Sequence, residues 1–251
     1  MRPATRAGAW LEYLGAAGFI LLSWQLAASI IGRPILPAPM KVFSLFAGSL
    51  VQGLGRHFLA SVFRAVTAIL ASFIVAVPLG LALGRIKALD RLVAPLVYLV
   101  YPVPKIVFLP LIMILLGLGD AAKIFLVSLI VFFQILVATR DAARGVNHHY
   151  ILSLASLGAS EAQIYRHVVI PAVLPEILTA VRIALGTAIA VLFIAETFAT
   201  NRGLGYYIME TWSRQAFDEM FTGVLAMGLL GFTLYVLLDW IEKKICPWHY
   251  L

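Results

Sequence analysis

Six long apolar runs govern what this 251-residue chain can become. They cover about 11–31, 58–84, 92–118, 121–139, 176–200 and 220–241. Each is long enough to cross a hydrocarbon layer of roughly 30 Å as a helix rising about 1.5 Å per residue. The runs are continuous and do not alternate, which argues against a β-barrel. Apolar residues make up 62% of the chain and charged residues 12%, against roughly 45–50% and a quarter in soluble domains. A soluble globule needs more polar surface than that. The expectation is an all-α polytopic membrane protein with six transmembrane helices. One domain spans 1–251, with an N-terminal helix at 11–31 and a five-helix core at 58–241.

The formal net charge is +7. Its basic residues fall mostly between apolar runs, so they read as orientation signals and not as a nucleic-acid surface. With the N-terminus in the cytoplasm, ten Lys and Arg residues lie on inside segments and six on outside ones, Arg33 among the latter. Both termini are therefore expected inside. Arg2 and Arg6 precede an apolar run longer than the core of a secretion signal, so the first run reads as an uncleaved helix. The lone Cys246 forms no internal disulfide and no cysteine-rich metal site. His148 and His149 are adjacent and diverge on a helix, and no other metal-ligating cluster is visible.

The third run carries Pro95, Pro102, Pro104 and Pro110. Proline removes an amide donor, and in lipid the freed carbonyls need protein or water. Lys105 sits in the same run, where a lipid-facing charge costs at least about 2.5–3.5 kcal/mol. Pro102, Pro104 and Lys105 thus mark a broken helix beside a translocation path, with Lys105 either attracting an anion or paired at rest. Arg182 and Glu196 lie fourteen residues apart in the fifth run, roughly 21 Å along a helix, too far to pair. Arg182 is expected to snorkel to lipid phosphate. Glu196 is expected to hydrogen-bond the loop bearing Gly203-Leu204-Gly205, and gating is the other role open to both residues. Arg64 reads as an interfacial anchor, and Gly80 with Gly84 as a close helix crossing.

Between the fourth and fifth runs, 147–166 forms a candidate coupling segment. If helical, Ala155, Gly158, Ala159 and Ala162 share one small-residue face, flanked by Leu154, Leu157, Glu161 and Ile164. Gly158 can instead break it into two short helices. Pro171 and Pro175 are expected to end the element before the fifth span. An amphipathic connector lying on the membrane fits these residues equally well.

Gly158, nine residues, then Val168-Val169-Ile170-Pro171 resembles the cytoplasmic signature of permease subunits of bacterial binding-protein-dependent ABC importers. Leu152-Ser153-Leu154 departs from its usual Glu-Ala-Ala. Further matches are Leu36-Pro37-Ala38-Pro39, Ser61-x-x-Arg64, Pro78-Leu79-Gly80 with Gly84, and Tyr101-Pro102-Val103-Pro104. Leu109-Pro110-Leu111, Gly117-Leu118-Gly119, Pro171-Ala172-x-x-Pro175 and Glu196-x6-Gly203-Leu204-Gly205-Tyr206 complete the series. Together they resemble the nitrate/sulfonate/taurine branch.

The resemblance implies a type I importer fold in the bacterial inner membrane. It also implies a second copy of the chain, a cytoplasmic ATPase dimer that binds ATP and Mg, and an extracytoplasmic solute-binding protein. The chain itself has no Gly-x4-Gly-Lys-Ser/Thr loop, so it is expected to hold no nucleotide and to be no enzyme. Leu154, Ala155, Leu157, Gly158, Ala159, Ile164 and Pro171 are the ATPase-coupling residues it implies. The solute would be nitrate, a sulfonate or a taurine-like anion. Bicarbonate or a thiamine or riboflavin precursor is the alternative within the same machinery, and an ion-coupled secondary carrier is the alternative of another class.

Overall fold

A computed structural model describes residues 6–32 and 34–249. Arg2 and Arg33, two of the residues used for orientation, lie outside the described residues. Among the described residues every regular element is helical: α1 (Arg6–Ile31), α2 (Pro39–Ser49), α3 (Gly55–Arg85), α4 (Lys87–Val100), α5 (Leu109–Leu116), α6 (Asp120–Gly145), α7 (His148–Ser156), α8 (Glu161–Ile164), α9 (Ile170–Glu196), α10 (Leu204–Ser213) and α11 (Phe217–Ile245). Five stretches, containing α1, α3, α6, α9 and α11, are each long and apolar enough to cross a membrane. Joined with the turn Lys105–Phe108 and α5, α4 makes a sixth span bent by 78°.

The core is the packing of α3, α6 and α9. Ala65, Ala68 and Ala76 of α3 meet Val127, Val131, Ile135 and Leu136 of α6 and Ala184, Leu185, Ala188 and Leu192 of α9. Small side chains let the backbones approach, which is how helices associate where lipid supplies no hydrophobic drive. Ser72 Oγ donates to the Ser128 carbonyl at 2.9 Å and Ser128 Oγ to the Ala68 carbonyl at 3.2 Å, tying α3 to α6 in both directions. Gly80 and Gly84 form the close crossing expected of them. A Cβ at Gly80 would stand 2.7 Å from Thr139 Cβ, and one at Gly84 2.5 Å from the Arg140 carbonyl.

The segment after the first span is more ordered than a plain connection. Pro39 opens α2, where its missing amide costs little. A wide turn at Leu50–Leu54, released by Gly53 at φ 146°, leads on into α3. α1 is peripheral and attached through Trp24, whose Nε1 donates to the Pro37 carbonyl at 3.0 Å and whose ring stacks on Phe221. Many apolar side chains are left exposed along α1, α4, α5 and α11.

The two crossing glycines generate a direct test. Gly84→Leu should lower stability by about 1–3 kcal/mol by forcing α3 from α6. Gly18→Ala, with no neighbour within 4 Å of the added atom, should not. Thermal unfolding in detergent reads both, and an unaltered Gly84 variant would contradict the crossing.

Candidate functional site

At the end of the bundle where α3 begins and α9 ends, four polar side chains and three backbone groups converge. Arg64 is 3% exposed and Glu196 fully buried. Arg64 Nη1 donates to Glu196 Oε1 at 2.7 Å and to the Arg202 carbonyl at 2.8 Å, while its Nε donates to Asp120 Oδ1 at 2.8 Å. Ser61 Oγ lies 2.8–2.9 Å from both Glu196 oxygens and accepts from Leu204 N. Gly205 N donates to Glu196 Oε2 at 2.9 Å, the loop contact expected of Glu196. This arrangement explains the spacing from Glu196 to Gly203-Leu204-Gly205. A side chain at Gly203, held at φ 119°, would lie 2.3 Å from the Glu196 carboxyl carbon, and one at Gly205 2.5 Å from the Phe193 carbonyl. Arg64 is therefore no interfacial anchor: its Ser61-x-x-Arg64 spacing sets both side chains on one face of α3, toward Glu196.

The third span breaks at Tyr101-Pro102-Val103-Pro104. Lys105 lies just past the break, 7% exposed, and its ammonium donates to the carbonyls of Val100, Tyr101 and Val103 at 3.1, 2.9 and 3.3 Å. It also stands 4.5 Å above the Phe133 ring. The proline break orphans carbonyls at the negative end of α4, and the ammonium satisfies them. Of the two sequence readings, the paired one describes this Lys105, whose donors are occupied. Lys105 also lines a cavity of about 350 Å³, together with Tyr101, Pro102, Pro104, Phe133 and Gln134. Lys123 solves the same problem at the start of α6, donating to the Leu118 and Gly119 carbonyls.

Arg182 does not reach for lipid. It pairs with Glu242 and lies 3.8 Å from Asp239, both on α11, with its guanidinium over the Tyr235 ring. Asp239 and Glu242, within the last two turns of α11, were the signal for this.

At the opposite end, the coupling segment is not one helix. Gly158 adopts φ 79° and ends α7. Gly158 N donates to the Ala155 carbonyl at 3.0 Å and Ala159 N to the Leu154 carbonyl at 3.2 Å, a Schellman closure that needs a left-handed residue at Gly158. Ser160 then caps α8 in a reciprocal box with Gln163. The small residues consequently share no single face. Ile164 is buried, and Leu154 and Ala159 pack on Ala142, Ala143, Ile151, Val169, Val173 and Ile177. Ala155, Leu157 and Gly158 stay exposed, Leu157 at 83%. Pro171 and Pro175 do not separate this module from the span. A wide turn at Tyr165–Val169 runs straight into α9, Pro171 occupies its first turn, and Pro175 is accommodated within it. The Ser160-x-x-Gln163 spacing was a readable helix-start signal that the small-residue pattern obscured.

Architecture and polar placement define a multispan transport subunit of the type I importer fold. A chain of the MetNI methionine ABC transporter, solved in inward-facing conformations, superposes with a TM-score of 0.67 at 21% identity, over 78% of this chain and 98% of that one. Residues 76–247 match the family model described as binding-protein-dependent transport system inner membrane component, and this chain belongs to that family. The taurine transport system permease protein TauC of Escherichia coli K12 is 31% identical over 94% of this chain and 89% of its own. The putative aliphatic sulfonates transport permease protein SsuC of the same strain is 31% identical over 97% and 92%. A putative ABC transporter permease protein of Methanocaldococcus jannaschii, MJ0413, is 34% identical over 90% and 87%. The protein is thus a multi-pass permease of the ABC importer class, not a secondary carrier.

The buried pair predicts its own double-mutant behaviour. Arg64→Met should cost about 3–5 kcal/mol, because it strands the Glu196 charge. Arg64→Met/Glu196→Met should recover part of that loss. Denaturation midpoints in detergent measure both, and a double variant no better than Arg64→Met would refute charge stranding as the cause.

Proposed function

We propose that two copies of this chain form the pathway of an importer, with a cytoplasmic ATPase pair docked at α7–α8 and an extracytoplasmic binding protein delivering the solute. One observation carries the reading: an exposed Leu157–Gly158 tip is braced on the core by Ile151, Leu154, Ala159 and Ile164 and is continuous with the α9 span. A force on that tip is transmitted to a spanning helix and not absorbed in a slack loop. Type I fold and family membership support the direction, from outside to cytoplasm. Both termini then lie in the cytoplasm with α7–α8, a reading supported by the alternating spans and the bias of the basic residues. The ATPases supply ATP and Mg chemistry, and this chain contributes no catalytic group.

The solute is a small organosulfonate or a related anion, supported by the taurine and aliphatic sulfonate permeases among the relatives. The break at Pro102 and Pro104 lines the path, exposing irregular backbone only where protein or water can meet it. Lys105 holds that break in shape and does not act as the anion receptor. Glu196 and Arg182 fix helix ends and lie off the path.

Leu157 is the residue to vary. Replacing Gly158 strains a left-handed backbone position, whereas Leu157 is almost wholly exposed. Leu157→Asp should leave the permease at its normal membrane level and lower ATPase copurification and taurine uptake at least about tenfold, the loss of roughly 1.4 kcal/mol of docking. Normal copurification with normal uptake would reduce α7–α8 to a surface connector. For the path, Lys105→Met should impair uptake of charged and neutral solutes alike. A loss confined to anions would restore the receptor role.

A further inference from the structure

At the end of the bundle opposite the Arg64–Glu196 pair, a cavity of about 560 Å³ opens between the end of α3, the start of α4 and the end of α6. Arg85, Lys87, Arg91, Arg144 and His148 line it, with Asp90 as the facing carboxylate. That carboxylate is already taken. Arg140, 5% exposed, grips it with Nε on Oδ1 at 2.5 Å and Nη2 on Oδ2 at 2.9 Å. Asp141 pairs with Arg140 at 3.2 Å, and Arg144 Nη1 stands 3.8 Å from Asp90 Oδ2. Arg85 Nε is buried with no hydrogen-bond partner. The cavity therefore holds more positive charge than its own carboxylates neutralise, and one of its donors lacks an acceptor.

We propose that this cavity binds a phosphate-bearing anion, and that the phosphate belongs to the headgroup of an anionic phospholipid. Several Arg and Lys side chains around one hollow match phosphate oxygens in number and charge. The lipid source follows from the rim. Ile86, Leu92 and Leu96 are 50%, 72% and 60% exposed along the same stretch, so an acyl chain can lie on α4 while its headgroup sits among the cations. The inference is independent of the transport reading. It requires only that the ends of α3, α4 and α6 meet the bilayer interface. Bound there, a headgroup would bridge the turn after α3 to the helix that leads into α7.

The test uses the full chain purified in mild detergent, with native mass spectrometry and three probes: phosphatidylglycerol, zwitterionic phosphatidylcholine and inorganic phosphate. The wild-type chain should retain phosphatidylglycerol well above phosphatidylcholine. Lys87→Gln/Arg91→Gln, at two exposed positions that spare the Arg140–Asp90 pair, should weaken that retention about twenty-fivefold, near fivefold per charge removed. Binding of inorganic phosphate that the variant loses, with no preference between the lipids, would keep the phosphate site and assign its source to solution. The proposal is overturned if no probe binds the wild-type chain more tightly than the variant. A measurement on the wild-type chain alone stands beside it: raised salt should release phosphatidylglycerol, and retention that ignores salt also overturns the idea.

Discussion

The buried contact between Arg64 and Glu196 is the constraint around which this bundle is arranged. Two unit charges away from water are costly unless each is paired and its remaining hydrogen-bonding positions are filled. Here Asp120, Ser61, the Arg202 carbonyl and the Leu204 and Gly205 amides complete the shell. Those groups come from α3, α6, the end of α9 and the start of α10, so filling the shell fixes four elements against one another. The glycines at 203 and 205 follow from it, since a side chain at either would enter the pair or the backbone behind it. The loop before them turns its Arg202 carbonyl inward to Arg64.

The same rule governs the rest of the polar inventory within the spans. Lys105 and Lys123 each cap carbonyls left open where a helix stops, so broken backbone and buried cation cancel one another's cost. Arg182 is neutralised by acids on α11, which binds the C-terminal end of the last span to the core. The triad α3, α6 and α9 then behaves as one body. It carries the charged clasp at one end and, through the wide turn at Tyr165–Val169, the α7–α8 module at the other. Displacing the module without displacing α9 would mean pulling Ile164 and Val169 from a packed cluster.

How far the sequence disclosed this depends on whether the signal was local. The six spans were legible because apolar length is a property of one segment at a time. The proline break and the Gly80–Gly84 crossing were legible for the same reason. Partners distant along the chain were not: nothing near Arg64 announces Glu196, 132 residues away, or Asp120, 56 away. Arg64 and Arg182 were therefore each assigned to lipid, the partner that needs no second residue. The coupling segment was read two ways, and the break at Gly158 into two short helices is the one that α7 and α8 bear out. A helical face was drawn through Ala155, Gly158, Ala159 and Ala162, yet Gly158 takes a left-handed conformation and the face dissolves. The Schellman closure and the Ser160 cap are both local signals, and they outweigh a periodicity of small residues.

Basic residues that look alike in the sequence thus divide into two kinds. Arg64, Arg140 and Arg182 are committed to carboxylates, and Lys105 and Lys123 to backbone carbonyls. For these, position along the membrane normal is a consequence of structure and carries no orientation information. Arg85, Lys87, Arg91 and Arg144 face a common hollow whose nearest carboxylate is already engaged. Of these, Lys87 and Arg91 carry no ion pair among the described residues, whereas Arg144 lies 3.8 Å from Asp90. A charge without a carboxylate partner feels the surface potential of an anionic leaflet in full, because paired charges present little net field beyond a Debye length. The hollow that Arg85, Lys87, Arg91 and Arg144 line sits between the α3–α4 turn and the end of α6. These are the elements on which the α7–α8 module is built.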